Sequence, residues 1–204
     1  MQKVNLKKYY NDTYSTEKYP YGLKPNSTVK ALLKFVSSGK VLDLGAGYGK
    51  DSLYLASKGF KVFALDFSPV AIGQLQELAK KLKIKLNARS SNILKAKWPQ
   101  GANIFINIYT MHHFPDRMGR NYLKRIHNTT PKNGYNVIKA MMRKGQLYEK
   151  NKKLKRASFM LKKGELRKIY EGWKILKYKE SNDPDKKKVS NYVAEIIAQK
   201  INDY

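Results

Sequence analysis

The sequence predicts an α/β fold: an open seven-stranded sheet, mostly parallel with the last strand antiparallel, and helices on both faces. Three observations predict it. Short apolar runs alternate with segments of helical period across residues 40–141, the pattern of repeated β-α units whose strands run parallel. A glycine turn, Gly45-Ala46-Gly47-Tyr48-Gly49, follows the first apolar run and opens a helix. Near the end, two strand-like runs are joined by a short polar connection, which only antiparallel neighbours can use.

Residues 1–24 are rich in tyrosine (Tyr9, Tyr10, Tyr14, Tyr19, Tyr21) and read as irregular. Asn26 or Ser27 caps a helix carrying Val29, Leu32, Leu33 and Val36. Lys40–Leu44 is the first strand, and the helix after the glycine turn carries Leu53, Tyr54 and Ala56 until Gly59 stops it. Lys61–Asp66 is the second strand. Ser68-Pro69 then supplies an N-cap and a first-turn proline for a helix through Ala79. A third strand is expected at Lys85–Ala88, ending near Ser91-Asn92. Ala102–Ile108 is a continuous apolar run, as in a strand buried on both faces. Met118, Tyr122, Leu123 and Ile126 follow at helical spacing, then a fifth strand at Gly134–Met141. A basic stretch, Lys144–Lys163, reads as a loop over the strand C-termini. The chain closes with a helix (Gly164–Tyr170), a strand (Trp173–Lys179), a polar turn holding the lysines at 186, 187 and 188, and a strand at Tyr192–Ile197.

The 204 residues are expected to form one domain, with 1–24 as an aromatic lid segment. A composition 42% apolar and 12% aromatic excludes a disordered chain. The absence of cysteine excludes disulfides, thiolate catalysis and thiolate-ligated metals, and no His or acidic cluster has metal spacing, so no metal site is expected. No apolar leader core and no run near the ~18 apolar residues of a membrane span is present, so a soluble, cytoplasmic chain is expected. The net charge is +27, from 42 Lys and Arg against 15 Asp and Glu. That charge reads either as a solvated basic face or as a field for an anionic partner, with weak, non-specific nucleic-acid binding. Only seven of the 42 are arginine, the residue that base and phosphate recognition favours.

The chemistry concentrates in Val41-Leu42-Asp43-Leu44-Gly45-Ala46-Gly47-Tyr48-Gly49 and in the acid that ends the next apolar run, Asp66. A strand, a glycine turn opening a helix, and a carboxylate about 20 residues on are the parts of a nucleoside-binding crevice. A dinucleotide fingerprint counted from Gly45 needs glycine at position 50, which is Lys50, whereas Gly49 gives G-x-G-x-G. With Asp43 just before it, this spacing resembles motif I of the class I S-adenosylmethionine (SAM) methyltransferases, whose Rossmann-like sheet also ends in one reversed strand. Gly45 to Ala56 resembles the glycine loop and helix of the tellurite-resistance TehB methyltransferases, which usually carry Cys where Ala46 sits. Pro131-Lys132-Asn133-Gly134-Tyr135-Asn136-Val137-Ile138 and Lys163-Gly164-Glu165-Leu166-Arg167-Lys168-Ile169-Tyr170-Glu171-Gly172-Trp173 are similar to later runs of that family. Tyr9-Tyr10-Asn11-Asp12-Thr13-Tyr14 is similar to its aromatic N-terminal segment.

The resemblance implies a SAM-dependent methyltransferase with S-adenosylhomocysteine as product. By the same resemblance, Gly45, Ala46 and Gly47 face the methionine half of SAM and Asp43 orients their loop. Asp66 takes the ribose hydroxyls, Phe67 the adenine face, and Asn92 with Ile93 the adenine edge. Asn107 and Ile108 border the sulfonium and the acceptor, and Tyr9 and Tyr14 close over them. His112 and His113 follow the fourth strand and are candidate bases or anion ligands. The acceptor pocket is thus expected between Tyr14, Asn107, Ile108, His112 and His113, under the Lys144–Lys163 loop. Asn107-Ile108-Tyr109-Thr110 lacks the paired prolines of Asn-Pro-Pro-Tyr, the motif of many amino-group methyltransferases. That absence speaks against a nitrogen acceptor, and the resemblance implies a small acceptor, anionic or chalcogen-containing (tellurite, selenite or thiol). An RNA methyltransferase using the basic surface, or a SAM-binding protein without transfer activity, are the alternatives. Ser181–Ser190 contains neither member of the His-Arg pair that the family tends to carry there.

Overall fold

The computed structural model describes residues 5–154, 158–183 and 190–202. It begins with a helix where irregular chain was expected: α1, Leu6–Thr16, opened by Asn5, whose side chain accepts from the Lys8 amide at 3.1 Å. Tyr10 and Tyr14 lie one turn apart on its docking side, and Tyr14 is buried. The next helix, α2 (Ser27–Leu32), is capped by Asn26 and buries Val29 and Leu32.

The β-α units follow in the expected order. They are β1 (Lys40–Leu44), α3 (Lys50–Ser57), β2 (Lys61–Asp66), α4 (Pro69–Lys81), β3 (Asn87–Ser90), β4 (Ile104–Ile108), α5 (Asp116–Thr129) and β5 (Tyr135–Gly145). Ser68 caps α4 through its side chain, accepting from the Ala71 amide at 3.2 Å. The third strand starts two residues later than expected. Lys83, at φ +56°, and the Ile84 amide bonded to the Ala79 carbonyl use residues 82–86 to unwind α4. The fourth begins at Ile104 rather than Ala102, because the Asn103 side chain already caps the start of β1 through the Lys40 amide.

The Lys144–Lys163 segment is not a loop over the strand ends. β5 continues through Gly145, α6 occupies Gln146–Lys153, Ser158 bridges to Pro115, and Leu161 returns beside β5 at Met142. The driving force is apolar: Phe159, Met160 and Leu161 are buried, so the lysines around them are carried along the outside. A short helix α7 (Glu165–Ile169) then leads to β6 (Lys174–Asn182) and β7 (Asn191–Gln199). The lysines at 186–188, expected in a turn, lie outside the described residues.

The sheet order is β3-β2-β1-β4-β5-β7-β6. Strands β1 to β5 pair parallel, while β7 inserts between β5 and β6 and runs antiparallel to both. Parallel strands covered on both faces explain why β1 and β4 are buried along nearly their whole length and apolar apart from Lys40, Asp43 and Asn107. The order reverses between β1 and β4, and a crevice opens there at the strand C-termini, as open α/β sheets require. No helix among the described residues is long and apolar enough to cross a membrane.

Candidate active site

The turn after β1 is built by glycine. Gly45 has φ +84°, a left-handed conformation, and a Cβ there would run into the Thr110 side chain. At Gly47, φ +56°, a Cβ would stand 3.1 Å from the Tyr14 hydroxyl. The Gly45 and Ala46 amides donate to the Leu65 carbonyl at 2.8 and 3.0 Å, which ties the turn to β2.

Asp66, at the tip of β2, fastens the loop from the other side. One carboxylate oxygen accepts from the Gly47 amide and the other from the Ser68 amide, each at 2.9 Å. Each oxygen keeps further acceptor capacity for a ligand hydroxyl. Burial raises the Asp66 pKa, and these amide bonds oppose the rise. Asp43 sits beneath the loop and accepts from the Ser52 hydroxyl at 2.6 Å. Burial pushes its pKa from 3.8 to about 8, against the Ser52 bond and with help from Asp51 and Asp66.

Helix α1 covers this floor. Its Asn11 side chain accepts from the Ser68 hydroxyl at 2.6 Å, and the Tyr14 carbonyl accepts from the Gln74 amide at 2.5 Å, so the helix is docked on α4. At the opposite edge the Tyr10 hydroxyl meets His113 Nε2 at 2.8 Å. Tyr48 braces the connecting segment by donating to the Gly22 carbonyl at 2.8 Å and accepting from the Tyr21 amide at 3.0 Å.

Between floor and cover lies a cavity of about 750 Å³, within the size range of small-molecule sites. It brings together Tyr14, Asp43, Gly45, Ala46, Gly47, Asp66, Phe67, Asn92, Ile93, Ile108, His112 and His113. Two expected residues lie elsewhere. Tyr9 is 54% exposed on the outer side of α1, and its neighbour Tyr10 faces the cavity instead. Asn107 is fully buried under the wall, donating to the Leu44 carbonyl at 2.7 Å: on a pleated strand its side chain points away from the face that Ile108 presents. None of the described residues 144–163 lines the cavity, since α1 is the cover.

Sequence reasoning missed Tyr10, Tyr21, Tyr109 and Thr110. The four-residue spacing of Tyr10 and Tyr14 behind Asn5 was a usable signal for the first. Tyr109 and Thr110 became cavity residues through the turn that ends β4, which leaves no periodic mark. Asn92 spends one acceptor position locally, taking the Leu94 amide at 3.0 Å, and its side-chain NH2 can donate to a ligand. Among the described residues no group of three or more His, Cys, Asp or Glu is arranged to hold a metal ion.

The cavity fits an adenosyl sulfonium by its chemistry. A glycine cradle, a buried carboxylate with free acceptor capacity and an aromatic neighbour, Phe67, meet at one crevice. The family profile described as tellurite resistance protein TehB matches residues 3–191. Hemagglutinin 1 of Eikenella corrodens is 29% identical over 157 residues, covering 76% of this chain and 51% of that protein. The probable SAM-dependent methyltransferase TehB of Haemophilus influenzae is 26% identical over 170 residues, covering 83% and 58%. The chain thus spans about half the length of the curated relatives it matches. The crystal structure of Haemophilus influenzae TehB superposes with a TM-score of 0.74 at 24% identity, covering 94% of this chain and 67% of that one. Magnesium protoporphyrin IX methyltransferase from Synechocystis, solved with S-adenosylhomocysteine, gives 0.73 at 16% identity, covering 98% and 100%. The fold is the class I methyltransferase fold, and the chain belongs to the TehB family.

Proposed function

We propose that this chain is a SAM-dependent methyltransferase acting on a small, chalcogen-containing acceptor such as a thiol, selenite or tellurite. The observation that carries the reading is Asp66. It is buried at the tip of β2, bonded to the glycine loop through Gly47 and to the head of α4 through Ser68, and it lines the cavity. SAM supplies an already activated methyl group, so the chain's residues need only bind, orient and exclude water. Gly45–Gly47 admit a ligand close to the backbone, and Asp66 accepts hydroxyl hydrogens. Helix α1 covers the site with Tyr10 and Tyr14. A soft acceptor already in its anionic form needs no general base. His113 is consistent with that, because its Nε2 is engaged with the lid through Tyr10. His112 remains a candidate acceptor contact.

The test has two arms. Calorimetry is expected to show binding of SAM and S-adenosylhomocysteine but not NAD, and Asp66→Ala to weaken it about 10- to 150-fold, the loss of hydrogen bonds to a charged group. Labelled SAM is then offered with thiols, selenite, tellurite and bulk RNA. Label is expected on a small acceptor. NAD binding in place of SAM, or RNA methylation in ~150 mM salt with no small-acceptor turnover, overturns the proposal.

A further inference from the structure

Strand β4 ends in a backbone conformation that L residues seldom adopt. Tyr109 lines the cavity and has φ +55°. A bulky residue stays there only where its surroundings fix it, and such positions gather at functional sites. Contacts with two described residues, Lys139 and Asp183, help fix Tyr109. Its amide donates to the Lys139 carbonyl at 2.9 Å, its hydroxyl donates to Asp183, and the Lys139 ammonium stands 5.1 Å from its ring centroid.

Those partners belong to a buried ion cluster. Lys139, on β5, is 0% exposed, with Asp183 and Glu195 oxygens each 3.7 Å from its Nζ. Glu195, on β7, also takes the Thr28 hydroxyl at 2.6 Å and Lys177 Nζ at 2.8 Å. Among the described residues, Lys139 and Lys177 thus face Asp183 and Glu195. A buried ion cluster is a poor device for stability, because apolar side chains of the same volume serve as well or better. What it delivers is position, and it reaches the cavity wall at Tyr109, whose hydroxyl is turned back toward Asp183.

We propose that Tyr109 forms the wall that positions the methyl acceptor, and that Asp183 and Lys139 are positioning residues holding its ring in place. The proposal rests on the methyl-transfer reading above. It makes Asp183 act on the acceptor through a tyrosine on another strand, while the cofactor contacts of Gly45–Gly47 and Asp66 stay independent of it.

The experiment compares wild type with Tyr109→Phe, Asp183→Ala, their double variant and Asp183→Asn. S-adenosylhomocysteine affinity is read by calorimetry. Acceptor KM is read with whichever of 2-mercaptoethanol, benzenethiol, selenite or tellurite the wild type methylates fastest. Tyr109→Phe and Asp183→Ala are each expected to raise acceptor KM about tenfold, and the double variant no further than either, since both break one contact. S-adenosylhomocysteine affinity is expected to stay within about twofold. Asp183→Asn keeps a carbonyl to accept the hydroxyl and is expected to return KM to within about threefold of wild type. An unchanged acceptor KM in Tyr109→Phe overturns the proposal. So does a parallel loss of S-adenosylhomocysteine affinity, or an Asp183→Asn variant as impaired as Asp183→Ala. If Asp183→Ala fails to fold, Tyr109→Phe decides alone, since it leaves the Lys139–Asp183 pair intact. A wild type that binds S-adenosylhomocysteine but methylates none of the four overturns the transferase reading and this proposal with it, a result distinct from active wild type with indifferent variants.

Discussion

Asp43 shows how a single residue of the floor trades stability for a site. Its carboxyl is buried under the glycine loop, and burial lifts its pKa from 3.8 to about 8. The folded state therefore binds this proton more tightly than the unfolded chain does. Below about pH 4 both states are protonated and Asp43 contributes nothing to pH dependence. As pH rises toward 8 the unfolded chain gains stability by ionising while the folded one is held back, so folding stability falls across that window and levels off above it. Asp66, raised by burial as well, adds in the same direction. Asp43→Asn keeps an acceptor for the Ser52 hydroxyl and removes the titration. In the ligand-free protein it is expected to raise the melting temperature at pH 8 and to flatten the decline between pH 4 and 8. A variant that melts with the wild-type pH profile would show that Asp43 ionises normally in the fold.

At the scale of elements, the pieces with strong local signals were legible and those made by tertiary contact were not. Lys40–Leu44, Lys61–Asp66 and the Ser68-Pro69 start of α4 stand where their apolar runs and cap put them. Helix α1 carried only a faint signal, the Asn5 cap and two tyrosines four residues apart among polar neighbours, and docking on α4 and the cavity makes those two the inner side. The Lys144–Lys163 stretch misled through charge: its lysines hid the buried Phe159-Met160-Leu161, of which Leu161 returns beside β5. Asn107 misled through alternation, since the residue one step along the strand, Ile108, holds the cavity face. For α1 the structure makes a specific claim: the lid is latched at one edge by Tyr10 on His113. Tyr10→Phe keeps the ring against Phe67 and removes that bond. Losing the hydroxyl's bonds, to His113 and to Tyr21, is expected to weaken S-adenosylhomocysteine binding at least 2- to 12-fold, the range for about one bond, and to speed amide exchange across residues 6–16. Unaltered exchange in α1 would mean that the contacts with α4 alone hold the lid.

The whole molecule carries +27, and the structure shows where the cations are committed. Arg120 and Arg143 pair with Asp116, with Glu165 also on Arg120. Arg125 stacks on Trp98 at 3.8 Å and donates to the Leu94 and Ala96 carbonyls. Three of the seven arginines, Arg120, Arg125 and Arg143, thus serve the fold. Lys139 and Lys200 are buried as well, the latter donating to the Thr130 carbonyl at 3.0 Å. Most of the remaining excess is exposed lysine, which attracts polyanions without fixing a register. Salt then acts on two properties with opposite signs. Screening relieves self-repulsion, so raising KCl from ~20 to ~200 mM is expected to increase the melting temperature. The same change releases the counterion advantage, so affinity for bulk RNA is expected to fall log-linearly and without sequence preference. Melting curves and filter binding on one salt series measure both. RNA affinity that survives ~200 mM KCl, or that distinguishes one sequence from another, would require a built nucleic-acid site and would reverse the assignment of the lysines to a solvated face.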